Sequence, residues 1–247
     1  IVPFLSGKDI HAGFTDEQVD AIPHWQVADC FSPLERAVLA YTDALALQHG
    51  RVEVIRRLCS ATLRMTEGEL LAFERLGAAD LTVDEYFQII DRKTAHLFAA
   101  ACSIPSLIPP QRPEAGQVLH RYGRALGVCF QLVDDLLDFT ARESEFGKPV
   151  LSDLREGKLT LPILLLLPRV GERERQKVAQ VLKDRSFEQV APSEILDLVR
   201  AQGTLEEVER LASDYAESAR RELEFFPPSA AREALELAPD FVLHRRA

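Results

Sequence analysis

Three carboxylates stand inside an apolar run in this chain: Phe130-Gln131-Leu132-Val133-Asp134-Asp135-Leu136-Leu137-Asp138-Phe139. The run closes a longer pattern in which Leu119, Tyr122, Leu126, Phe130, Val133 and Leu137 recur at helical spacing from Glu114 onward, so one long helix is expected there. Asp134 and Asp138 are four apart and share a face of it. Asp135 lies about 100° round from Asp134 and can lean toward the same edge. Charges this close repel, and without a counter-charge the carboxyl pKa values rise. One remedy is a hard divalent cation such as Mg²⁺, held by one or two carboxylates with substrate phosphates completing its shell. The other reading is an acidic helix edge facing solvent.

The remaining composition favours helix throughout. Glycine numbers only 12 in 247 residues, and leucine, alanine, glutamate and arginine dominate. A net charge of −10 argues against a nucleic-acid surface. Cys30, Cys59, Cys102 and Cys129 form no C-x-x-C pair, which predicts free thiols in a reducing, cytoplasmic setting. No uncharged apolar run is long enough to span a membrane, and Ile1-Val2-Pro3-Phe4 does not begin a signal peptide. The missing initiator Met leaves room for residues upstream.

Near the start, Thr15 caps a short predicted helix over 16–21. Ser32, Pro33 and Glu35 open another with a capping box, and Gly50 is its natural stop. Val54, Ile55, Leu58, Ala61, Met65 and Leu70 then recur at helical spacing as far as Leu76. Gly68 inside that pattern points to close backbone packing, to room for a ligand, or to a tolerated glycine. Thr82 and Glu85 form a second capping box, opening a helix whose Tyr86, Ile89, Ile90, Leu97 and Phe98 face the core. Lys93 in that helix either snorkels to water or faces an anion. Prolines from Pro105 to Pro113 end it. Gly123 and Gly127 form a small stripe that another helix or a substrate chain could approach. Lys148, Arg155 and Lys158 follow the acidic triple, so metal and lysine could hold one polyanion, a diphosphate, from two sides. A short helix over 159–167 comes next, then amphipathic helices near 171–185, 193–201, 204–226 and 229–246.

The stretch Phe31 to Leu45 resembles part of the carboxymuconolactone decarboxylase/alkylhydroperoxidase-like family. That family's redox chemistry needs a C-x-x-C with a nearby His; Cys30 stands alone, so the activity does not carry over. The predicted organisation is thus a helical N-terminal segment, 1–50, followed by a larger helical domain, 51–247.

The larger domain carries its own motifs in one order: Met65-Thr66-Glu67-Gly68-Glu69, Arg92-Lys93-Thr94, Tyr122-Gly123-Arg124-Ala125-Leu126-Gly127, the acidic run, Gly147-Lys148-Pro149, and Asp153-Leu154-Arg155-Glu156-Gly157-Lys158. Together they resemble the trans-polyprenyl diphosphate synthases, especially the long-chain type that makes quinone side chains. The resemblance implies an all-α, isoprenoid-synthase-type bundle around a central apolar cavity, with atypical N-terminal helices. It implies a Mg²⁺-dependent prenyltransferase that joins isopentenyl diphosphate to an allylic prenyl diphosphate, working as a homodimer. Asp134 and Asp135 would bind Mg²⁺, with Asp138 supporting them from the first or second shell. Lys93, Lys148 and Lys158 would hold the allylic diphosphate, and Thr94 and Gln131 would face the developing cation.

The sequence also departs from that family. The first aspartate-rich motif, D-D-x-x-D or D-D-x-x-x-x-D, does not stand upstream of Met65, where Asp9, Asp16, Asp20, Asp29 and Asp43 are isolated. The upstream basic loop expected to bind isopentenyl diphosphate is absent too. Two functions are therefore consistent with the sequence: a prenyl diphosphate synthase, and a non-catalytic subunit that dimerises with a complete synthase.

Overall fold

The computed structural model describes residues 52–107, 112–140 and 150–245, together with Glu17, Ala21 and Cys30. The helices expected before residue 51, the segment resembling the decarboxylase family and Lys148 lie outside those residues. Backbone packing divides the chain into two units, Ile1–Arg56 and Arg57–Ala247; the candidate site and the residues that line it lie in the second.

Every regular element among the described residues is helical. Helix α1 spans Val52–Glu74 and α2 spans Val83–Ile90. The predicted capping box opens α2: the Thr82 side chain accepts from the Glu85 backbone N–H, and the Glu85 carboxylate accepts from the Thr82 backbone N–H. The apolar spacing predicts a helix unbroken past Lys93. Instead the backbone widens into a π turn over Asp91–Ala95 before α3, His96–Ser103.

Helix α4, Pro113–Thr140, is the centre of the unit, packing against α3, α9 (Thr204–Glu222) and α10 (Ala230–Leu243). It is the long helix expected from the apolar spacing, and Tyr122, Cys129 and Leu132 are almost wholly buried. The small stripe has a helix, not a ligand, against it. A Cβ on Gly123 would lie 2.5 Å from the Phe98 carbonyl oxygen, and one on Gly127 would lie 2.6 Å from Ala95 Cα. Gly68 on α1 is likewise a close-packing glycine, since its Cβ would lie 2.5 Å from the Lys93 backbone nitrogen. The π turn is thus gripped between two helices that approach it at glycine.

After α4, a one-turn helix α5 spans Ser152–Arg155, and α6 spans Leu161–Leu166, shorter than predicted. Helices α7 (Glu172–Asp184) and α8 (Pro192–Ala201) follow. No helix among the described residues is long and apolar enough to cross a membrane.

Candidate active site

A cavity of about 550 Å³ opens between α1, α2, the π turn, α4 and the segment 153–160. One part of its wall is apolar, formed by Leu70, Phe73, Leu76, Leu81, Ile89 and Ile90. The other part carries charge: Glu69, Arg75, Lys93, Asp134, Asp135, Asp153 and Lys158, with Gln131 among them. Of the residues expected at the site, Lys93, Gln131, Asp134, Asp135 and Lys158 meet at this cavity.

The three carboxylates of the acidic run have three different surroundings. Asp134 is the exposed one, and its Oδ1 is paired with the Arg245 guanidinium just beyond α10. Asp135 is only 2% exposed. Its Oδ2 accepts the Tyr86 hydroxyl at 2.6 Å and its Oδ1 accepts the Gln131 side-chain amide at 2.9 Å. Burial pushes its pKa up to about 7, although both donors favour the ionised form. Asp138 instead binds backbone. Its Oδ1 accepts the Ser152 N–H at 2.9 Å and its Oδ2 the Asp153 N–H at 3.2 Å. Its backbone carbonyl also takes the Leu151 N–H. Burial, then the charge of Asp153, raise its pKa to about 6. It is not among the residues that line the cavity, and it anchors the turn that carries Asp153.

Helix periodicity correctly puts Asp134 and Asp138 on one face; it carries no sign that the chain returns to occupy one of them. That return puts Leu151, a buried residue, in the left-handed region at φ 59°.

Lys93 neither simply snorkels nor stands alone: it lines the cavity and its Nζ lies 3.0 Å from Glu69 of α1. Lys158 Nζ lies 2.6 Å from Glu156 and 3.4 Å from Asp153. Burial works against its charge, but those two carboxylates outweigh burial and its pKa is raised. Thr94 sits one layer back, donating its hydroxyl to Gln131 Oε1 at 2.9 Å. Sequence reasoning does not place Tyr86, Glu69 or Asp153 at the site. Tyr86 carries only a core signal, because a tyrosine on an apolar helix face is ordinarily buried for its ring.

The polyprenyl synthetase family pattern matches residues 35–199 of this chain. The chain belongs to that family. Its match begins inside the segment that resembles the decarboxylase family. Among curated relatives, the short chain isoprenyl diphosphate synthase of Methanothermobacter thermautotrophicus is 33% identical over 87% of this chain and 64% of its own. The octaprenyl diphosphate synthase of Escherichia coli is also 33% identical, over 79% of this chain and 61% of its own. The chain spans less than two thirds of the length of these two. In three dimensions it is similar to the polyprenyl synthase of Caulobacter crescentus CB15, solved with calcium and isoprenyl diphosphate. There the TM-score is 0.77 at 34% identity, covering 87% of this chain and 66% of that one. The decaprenyl diphosphate synthase of Rhodobacter capsulatus gives 0.75 at 32% identity, with the same coverage.

For a member of the polyprenyl synthetase family the donor set can be tested against Mg²⁺. Among the described residues, no group of three or more carboxylates, histidines or cysteines is gathered tightly enough to hold a metal unaided. Mg²⁺ does not need one, because it dehydrates reluctantly and is commonly held by one or two carboxylates plus substrate phosphates. Asp134 keeps Oδ2 outside its ion pair, and each oxygen of Asp135 has a lone pair left after one hydrogen bond. Asp134 and Asp135 thus keep oxygen lone pairs that fit a cation whose remaining positions are taken by phosphate or water.

Proposed function

We propose that this chain forms the allylic-diphosphate half of a Mg²⁺-dependent trans-prenyltransferase, joining isopentenyl diphosphate to an allylic prenyl diphosphate. One observation carries the reading: Lys93 and Lys158 share a single cavity with Asp134 and Asp135, and apolar side chains from Leu70 to Ile90 line the same cavity. The resemblance in motif order and the isoprenyl diphosphate bound to the Caulobacter relative support it. Asp134 and Asp135 would hold Mg²⁺, which when bound supplies positive charge to the departing diphosphate.

The protein's own part is electrostatic and steric. Lys93 and Lys158 give up their carboxylate partners and hold diphosphate oxygens, with Lys148 a third lysine on the strength of the resemblance. The allylic C–O bond breaks with its electron pair leaving on the diphosphate. The isopentenyl double bond then forms the new C–C bond, and loss of a proton restores an alkene. Gln131 Oε1, with one lone pair left beside the Thr94 hydroxyl, faces the positive carbon. The apolar wall keeps water from that carbon. The chain acts as a homodimer in this reading, which equilibrium sedimentation checks.

The test is incubation of the purified chain with Mg²⁺, radiolabelled isopentenyl diphosphate and farnesyl diphosphate, followed by extraction of labelled polyprenyl product. Product that disappears in Asp134→Ala supports the synthase. No product alone, with enhanced product when a complete synthase is added, would replace it with the non-catalytic subunit.

A further inference from the structure

The site contains a line of hydrogen bonds whose far end has no role in the proposed chemistry. Tyr86 on α2 donates to Asp135 Oδ2, Gln131 Nε2 donates to Asp135 Oδ1, and Thr94 on the π turn donates to Gln131 Oε1. We propose that Tyr86 is the positioning residue of this line: its hydroxyl fixes the plane of the Asp135 carboxylate and thereby the way the Gln131 amide faces. The inference rests on the proposed function for what Asp135 and Gln131 are positioned to meet.

The donor at the head of the line is rigid. The Tyr86 ring is almost fully buried and packs edge-on against Phe87, with centroids 5.3 Å apart. Its helix is anchored at the first turn by the Thr82–Glu85 capping box. A phenol has no freedom beyond two side-chain torsions, so the fold decides where this oxygen lies.

Direction then passes along the line. A carboxylate held at one oxygen can turn about its last torsion; one held at both, by donors from two helices, cannot. With Asp135 fixed as acceptor, Gln131 must offer Nε2 to it, which leaves Oε1 for the Thr94 hydroxyl. Gln131 and Thr94 alone would be equally satisfied the other way round, with Nε2 donating to the threonine oxygen. By holding Oδ2, the tyrosine keeps Oδ1 turned to Gln131 as its acceptor, and so removes the choice. Ligating carboxylates are commonly held by such outer donors, and their loss lowers metal affinity about 10- to 100-fold.

The experiment is proton–nitrogen NMR on the labelled full chain, with the Gln131 side-chain amide identified by its loss in Gln131→Glu. In the wild type one sharp pair of side-chain peaks is expected. In Tyr86→Phe, which keeps the ring, the pair is expected to double or broaden as the amide samples both orientations. An unchanged pair in a folded Tyr86→Phe protein overturns the proposal. Should that variant fail to fold, fluorotyrosine at position 86 makes the hydroxyl a stronger donor and is expected to move the Gln131 peaks; no movement overturns it equally.

Titration with Mn²⁺ alone supplies a second readout, through paramagnetic broadening of the backbone amides at 134 and 135. Tyr86→Phe is expected to need about 10- to 100-fold more Mn²⁺ than wild type, and equal titrations count against the proposal. If the wild type shows no broadening, the metal reading of the proposed function fails, and the amide peaks still decide the role of Tyr86.

Discussion

Arg245 lies with its guanidinium carbon 4.4 Å from the centroid of the Phe130 ring while pairing with Asp134 four residues further along α4. The two contacts tie the end of the chain's last described helix to the first carboxylate of the acidic run. Both partners of the ion pair are partly exposed, so the pair is worth at most about 1 kcal/mol, and the ring contact adds about as much. Arg245→Ala should lower the unfolding midpoint only slightly. On the proposed function it should also free Asp134, so that Mn²⁺ binds up to about fivefold more tightly. Calorimetric titration of the two proteins checks this; weaker binding in the variant would mean that the arginine assists the cation.

Asp135 makes stability depend on pH in a sign opposite to that of an ordinary salt-bridged carboxylate. Its folded pKa of about 7 lies above the usual value of 3.8, so the folded protein holds this proton over a range where the unfolded chain has lost it. Stability from this group is therefore full below about pH 4 and falls as pH rises through about 7, by on the order of 4 kcal/mol. In Asp135→Asn the new amide can donate to Gln131 once that side chain turns over, and no charge is buried. Urea unfolding in the presence of a chelator, from pH 4 to 8, should show a flatter profile for the variant and greater stability at pH 8.

Asp138 gives a different result under the same substitution. Both of its carboxylate oxygens accept backbone N–H groups, so in Asp138→Asn an amide nitrogen must confront one of them. An unsatisfied buried donor costs about 1–3 kcal/mol. That corresponds to a fall of about 3–10 °C in unfolding midpoint for a domain of this size. Differential scanning calorimetry measures it. The loss should be accompanied by greater proteolytic sensitivity at residues 150–158, the turn that the carboxylate anchors.

Gly123→Ala tests the contact between α4 and α3. The added methyl would meet the backbone of Phe98 and Ala99 rather than a movable side chain. Overpacking of this kind costs about 1–3 kcal/mol. A midpoint unchanged within a degree would show that α3 can retreat without loss.

Much of this architecture is legible in the residues themselves, and the reasons are local. The apolar spacing along α4 predicts a helix that the structure contains, and Thr82 with Glu85 predicts the first turn of α2. Gly68, Gly123 and Gly127 mark close approaches because only a missing Cβ permits them. What stays hidden depends on where distant segments return. Tyr86 meets Asp135 from 49 residues away and Arg245 meets Asp134 from 111. Asp138 shares a helical face with Asp134, yet the turn at Ser152 claims it. A period of 3.6 residues likewise carries no mark of a π turn, since the wider turn changes which carbonyl each N–H reaches rather than which residue types are present.

That π turn has a consequence for how the domain tolerates change. It holds one residue more per loop than the α-helix on either side, so Tyr86 and Ile90 before it keep a different angular phase from Ala99 and Ser103 after it. Both phases are needed, one to present the tyrosine to Asp135 and the other to lay α3 along Gly123 and Gly127. Shortening Asp91–Ala95 by one residue would bring the phases into step and turn every later side chain of α3 by about 100°. The number of residues in this stretch is therefore fixed as firmly as the identities of Lys93 and Thr94 within it.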